Sequence, residues 1–135
     1  MTEEIKHRYK DKMVVIYPDP ASKQRKTSAG GLTDLAILKN AGFNVRVRNT
    51  HPLVRDRINA VNAKLKNAKG VNSLFIANKA KNVIKSLDRQ IYKEGTSIPE
   101  KDTGFDHMND ALGYMIEFLY PLKRDFKPSK PQRWS

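Results

Sequence analysis

The sequence contains no cysteine. Disulfide scaffolds, thiolate catalysis and cysteine-based zinc sites are therefore excluded. Long hydrophobic runs are also missing. The longest, "MVVIY" at 13–17 and "SLFIA" at 73–77, are strand-sized and well short of the roughly 20 residues a membrane span needs. The opening "MTEEIKHRYKDK" has no apolar centre and does not read as a signal peptide. A soluble, cytosolic chain without a membrane partner is the expectation. Acidic residues are scarce: 14 Asp and Glu stand against 26 Lys and Arg, a net charge of +12. Such an excess repels itself, and a polyanion relieves the repulsion, so nucleic acid is the first partner to consider. A phosphate-binding loop is absent too. "KTSAGG" at 26–31 has the wrong order for one, which counts against a small nucleotide-binding α/β protein.

What is present is an alternation of strand-like and helix-like segments. Residues 2–11 read as a short polar helix with Thr2 as its cap. "MVVIY" is continuous and β-branched, as in a strand buried on both faces, and ends at Pro18 and Pro20. A helix follows at 32–42, with Gly42 as its stop. "FNVRVRN" alternates and reads as a second strand. In 51–68, Val54, Ile58, Val61 and Leu65 mark an amphipathic helix. "SLFIAN", 73–78, reads as another buried strand. Val83, Leu87 and Ile91 continue helical spacing towards a stop at Gly95, and a last helix runs from about 106 to 120. The order α-β-α-β-α-β-α-α predicts a three-layer α/β domain with a small, largely parallel sheet over 1–122. Residues 123–135, with five basic residues and two prolines, read as a basic flexible tail.

Two places carry candidate chemistry. Asp19 follows the first strand at its carboxyl end, where ligands collect in open α/β sheets. It equally fits a turn aspartate bonding nearby backbone amides. The last helix opens with "DHMNDALGY", 106–114. Met108, Leu112, Met115 and Leu119 predict its buried stripe, with Asp106, Asp110, Gly113 and Glu117 on the other side. Asp106 suits a helix start, where acids meet the positive end of the dipole. Asp110 lies a turn further in, where Asp lowers helix propensity. Gly113 leaves room for another group to approach beside Asp110. Carboxylates on a strand end and on a neighbouring helix can share Mg²⁺ or Mn²⁺, and such ions support phosphodiester cleavage.

Three stretches in order resemble the C-terminal nuclease domain of the large terminase subunit of tailed bacteriophages: "VVIYPDPASK" followed by a helix and "AGFNVRV", then "VRDRINAVNAKLKN", then "DHMNDALGY". The last is similar to that family's Asp-His-x-x-Asp-Ala-Leu-x-Tyr signature. Together they cover about residues 5–120. The resemblance implies a ribonuclease H-like fold and metal-dependent cleavage of concatemeric double-stranded DNA during genome packaging. It implies Asp19, Asp110 and His107 as catalytic residues. Asp19 and Asp110, with Asp106, would hold Mg²⁺ or Mn²⁺. It implies the terminase ATPase domain, the small terminase subunit and the portal protein as partners. The setting would be the cytoplasm of an infected or lysogenic (prophage-bearing) bacterial host.

Two departures set limits to this resemblance. The family's nuclease begins with strands carrying another aspartate, and residues 1–13 do not supply it, since Asp11 precedes a strand and does not sit within one, so the chain is expected to correspond to the later two-thirds of that domain. The family often has Arg where this chain has Gly113, which bears on how phosphate or carboxylate is oriented. Two hypotheses follow: a metal-dependent endonuclease, and a catalytically incomplete remnant that binds DNA or a packaging partner by charge. Lys23, Arg25, Lys26, Arg46, Arg48, Arg55 and Arg57 are the expected lining of a DNA groove, or else a solvated face. His7 and His51 read as surface residues.

Overall fold

The computed structural model describes residues 1–25, 30–101 and 103–123. Lys26 and the tail from residue 124 onward therefore lie outside the described residues. Within them the chain is mixed α/β, with five α-helices and one two-stranded parallel sheet. The helices are α1 (Thr2–Arg8), α2 (Asp34–Asn40), α3 (Val54–Leu65), α4 (Lys81–Arg89) and α5 (Asp106–Leu119), and the strands are β1 (Val15–Ile16) and β2 (Asn44–Val45). Among the described residues no helix is long and apolar enough to cross a membrane.

The ends of several helices follow from local chemistry. α1 buries nothing and is held by its own charges, with Arg8 bonded to Glu4 at 2.7 Å. Thr2 lies inside it, and Met1 occupies the cap position. α2 begins where the Thr33 hydroxyl accepts from the Ala36 amide at 3.0 Å. It ends as expected at Gly42, whose φ of 89° lets the Gly42 and Phe43 amides bond back to Lys39 and Leu38. Gly42 leads directly into β2, which pairs with β1 in the register Val15 to Asn44 and Ile16 to Val45.

The sheet is smaller than the sequence pattern suggests. "MVVIY" is not buried on both faces: Met13 is exposed, and Val15 and Ile16 are half-buried. "SLFIAN" forms no strand among the described residues. It runs extended, anchored by the Ser73 and Leu74 amides on the Lys64 carbonyl, both at 2.8 Å. Leu74 packs on the helices while Phe75 points to solvent. The alternation of a strand is there, but only one side has anything to cover it.

The helices at the C-terminal end carry the core. α5 packs against both α3 and α4. Ala60, Val61 and Ile116 are buried at the centre, with Leu65, Leu74, Leu87, Leu112 and Met115 around them. Full burial of a side chain such as Ile116 contributes roughly 1.5–3 kcal/mol. α4 stops at Arg89, short of Gly95. Residues 91–100 instead fold back as a narrow hairpin, with Tyr92 paired to Pro99 and the Lys93 amide on the Ile98 carbonyl at 2.8 Å. Gln90 closes this turn by donating to the Glu100 carbonyl at 2.7 Å.

The expected orientation of α5 is reversed in one respect. Its buried residues are Asp106, Gly113, Ile116 and Glu117, whereas Met108, Leu112 and Met115 are half-buried and Leu119 is exposed. A helix packed on two sides has no single apolar stripe facing inward. The Asp110–Gly113–Glu117 side meets charged groups, Arg57 of α3 and Arg48 beyond β2. The Asn109 side meets α4, where its amide donates to the Ser86 carbonyl at 2.9 Å.

Candidate metal and nucleic-acid site

Asp19 stands two residues beyond Tyr17, at the carboxyl end of β1. It caps a short 3-10 turn, Pro20–Lys23, by accepting from the Ala21 amide at 2.8 Å. This is the turn role open to it from sequence. The same carboxylate lies near the Tyr114 hydroxyl of α5 and helps to raise its pKa. The His51 ring nitrogen lies 3.6 Å from its Oδ1. The sheet end is drawn onto α5 at a second point, where the Tyr17 and Phe118 rings pack 5.5 Å apart.

Asp110 lies on α5 one turn before Tyr114. Its Oδ1 accepts from Arg57 Nη1 at 2.6 Å. Arg57 is only 6% exposed. Its guanidinium lies 4.4 Å from the centre of the Tyr114 ring, a cation–π contact. Gly113 lies against this arginine: a Cβ there would sit at ordinary contact distance, 3.5 Å from Arg57 Nη1 and 3.6 Å from Arg57 Cβ. The room foreseen beside Asp110 is thus filled by an arginine of the same chain.

Tyr114 joins the two carboxylates. Burial pushes its phenol above the ordinary value of 10.0, Arg57 opposes this, and Asp19 and Asp110 both add to the rise. Each acid is close enough to act electrostatically on one hydroxyl. Asp19 and Asp110, 91 residues apart in sequence (110 minus 19), therefore both come near Tyr114 in the fold.

The remaining candidates do not join Asp19. Asp106 is buried on the first turn of α5, and its Oδ1 has no hydrogen-bond partner among the described residues. It lines a cavity of about 250 Å³ with Asn109, Asp110, Arg57, Leu87 and Tyr92, which Asp19 does not reach. His107 is exposed beside it and does not line that cavity. Among the described residues no three His, Asp or Glu side chains are grouped to hold a metal ion together. The two carboxylates flanking Tyr114 still fit Mg²⁺ or Mn²⁺. Such ions prefer oxygen donors, keep several waters, and often take only one or two protein carboxylates.

The expected DNA-contacting residues divide into two groups. Arg25, Arg46 and Arg55 are exposed. Lys23 donates to the Arg48 carbonyl at 2.8 Å and to Asn49. Arg48 bonds Glu117 Oε2 at 2.6 Å and the Glu117 carbonyl at 3.2 Å, and packs over Phe118. Arg57 is enclosed against Asp110. Arg48 and Arg57 thus direct their charge at α5. Sequence reasoning missed their two carboxylate pairs, together with Tyr114 and His51. One signal was available: Arg57 is i+3 from Val54 and i−4 from Val61, inside the apolar stripe of α3.

Compared with protein-family models, with curated proteins and with solved structures, the chain matches none.

Proposed function

We propose that this chain is a ribonuclease H-like nuclease domain of the terminase type, which uses Mg²⁺ or Mn²⁺ to cut double-stranded DNA during genome packaging. The observation that carries this reading is the meeting of Asp19 and Asp110 around Tyr114. A strand-end carboxylate and a helix carboxylate far apart in sequence both act electrostatically on one hydroxyl. Asp19 and Asp110 are the residues to hold the ion. When bound, it would polarise a phosphoryl oxygen and lower the pKa of a coordinated water. The chain's own part is to hold the acids. The Ala21 amide restrains Asp19 by its hydrogen bond, and Arg57 restrains Asp110. The exposed Arg25, Arg46 and Arg55, with the net charge of +12, supply attraction for the phosphate backbone.

A second reading is a catalytically incomplete module that binds DNA or a packaging partner. The ion pair between Arg57 and Asp110 favours it, since one of the two acids already has a full counter-charge.

Plasmid nicking with Mn²⁺, Mg²⁺ or EDTA separates the two. The nuclease reading expects metal-dependent nicking that is lost in Asp19→Asn and in Asp110→Asn. Salt-sensitive DNA binding with no nicking by the unaltered chain would replace it with the binding module.

A further inference from the structure

We propose that Arg57 sets the cation affinity of the carboxylate pair, acting as a built-in counter-charge that a divalent ion must tolerate in order to bind Asp110. The proposal rests on the reading of Asp19 and Asp110 as the ion-holding acids.

Three observations support it. Arg57 Nη1 is 2.6 Å from Asp110 Oδ1, so the charges are in direct contact. The arginine side chain is 7% exposed and that of Asp110 is 35% exposed, so the acid faces solvent and the guanidinium lies behind it. Arg57 is also confined, by the Tyr114 ring at 4.4 Å and by its enclosure between α3 and α5. A guanidinium does not lose its proton at any ordinary pH. It can neither titrate nor swing away when a cation arrives.

The charge balance follows directly. Asp19 and Asp110 contribute −2, Arg57 contributes +1, and the cluster carries −1. An ion arriving from the solvent side of Asp110 is attracted by that carboxylate and by Asp19, the second acid near Tyr114, and repelled by the fixed cation in contact with Asp110. In a partly buried setting that repulsion is not screened away. Arg57 therefore acts on the ion through Asp110. It keeps affinity low while holding the acid still.

Mn²⁺ binding tests this without relying on cleavage. The paramagnetic resonance signal of free Mn²⁺ is titrated against the full chain and against Arg57→Met, Arg57→Gln and Arg57→Lys, with circular dichroism confirming the fold of each. The two neutral variants are expected to bind Mn²⁺ on the order of tenfold more tightly than the unaltered chain. Arg57→Lys keeps the charge and is expected to stay near the original affinity. Arg57→Gln retains a donor for Asp110 and serves if the methionine variant does not fold. Unchanged or weaker binding in a folded neutral variant overturns the proposal, as does a tenfold change in Arg57→Lys. Mn²⁺ binding that Asp110→Asn leaves intact would overturn the carboxylate site itself, and the inference with it.

Discussion

Arg57 and Phe75 stand at opposite ends of the same comparison. Between α3 and α5 an arginine is 6% exposed, and in the extended segment after α3 a phenylalanine is 82% exposed. One region encloses charge and the other displays an aromatic ring. Both reverse the usual sorting of side chains. In the helix pair, enclosure is tolerable because the charge is met: Arg57 has Asp110, and the Tyr114 ring covers its guanidinium, while beyond β2 the more exposed Arg48 meets Glu117 and Phe118. In the extended segment, Leu74 reaches the core and Phe75, one residue on, points to the other side. A pleated chain covers two faces only if something lies on each.

The largest expected effect comes from breaking the enclosed pair. Arg57→Ala strands Asp110 and empties the space at Gly113. It should lower stability by about 3 kcal/mol, at the low end for a buried pair because Asp110 stays partly wet. Denaturant unfolding measures this. Gly113 sharpens the point. Gly113→Leu must push Arg57 aside and should cost about 2 kcal/mol. Gly113→Ala meets only ordinary contact distances and gains helix propensity, so it should be neutral or stabilising by up to about 1 kcal/mol. Equal losses in both would show that Arg57 does not lie against this helix.

Alkaline pH probes the same region more gently. The Tyr114 phenol is raised above 10.0 in the folded state, mainly by burial and further by the nearby acids. Between its unfolded and folded values the native state holds the proton that the unfolded state has lost. Stability contributed by the neutral phenol is thus complete below pH 10 and declines as pH rises through the raised value. Melting temperatures of the unaltered chain and of Tyr114→Phe should converge as pH climbs beyond 10. The smallest effect belongs to the other region: Phe75→Ser should change stability by less than about 0.5 kcal/mol. A larger loss would place Phe75 inside a packed interface.

Much of the helical framework was legible. The helix over 106–120 matches Asp106–Leu119, and Val54, Ile58, Val61 and Leu65 lie on Val54–Leu65. Asp19 at a strand end and Asp110 within a helix were also readable as separate candidates. Their meeting at Tyr114 was not, since nothing local to either residue refers to the other. The misread segments share a cause. "SLFIAN" has strand composition, and 90–95 continues a helical spacing, but composition is silent on whether a partner strand exists. It is equally silent on whether Gln90 will find the Glu100 carbonyl.

By itself the sequence determined the charge, the absence of thiol chemistry, and where helices such as α2 stop. The stop at Gly42 depends on one residue's φ and two backbone hydrogen bonds within a few residues, so it can be read locally. Only the tertiary structure decided which face of α5 is inside, that Arg57 meets Asp110, and that Asp19 comes near Tyr114 as well. Burial and charge pairing act between groups brought together from distant parts of the chain, and their energies depend on neighbours that no local pattern names.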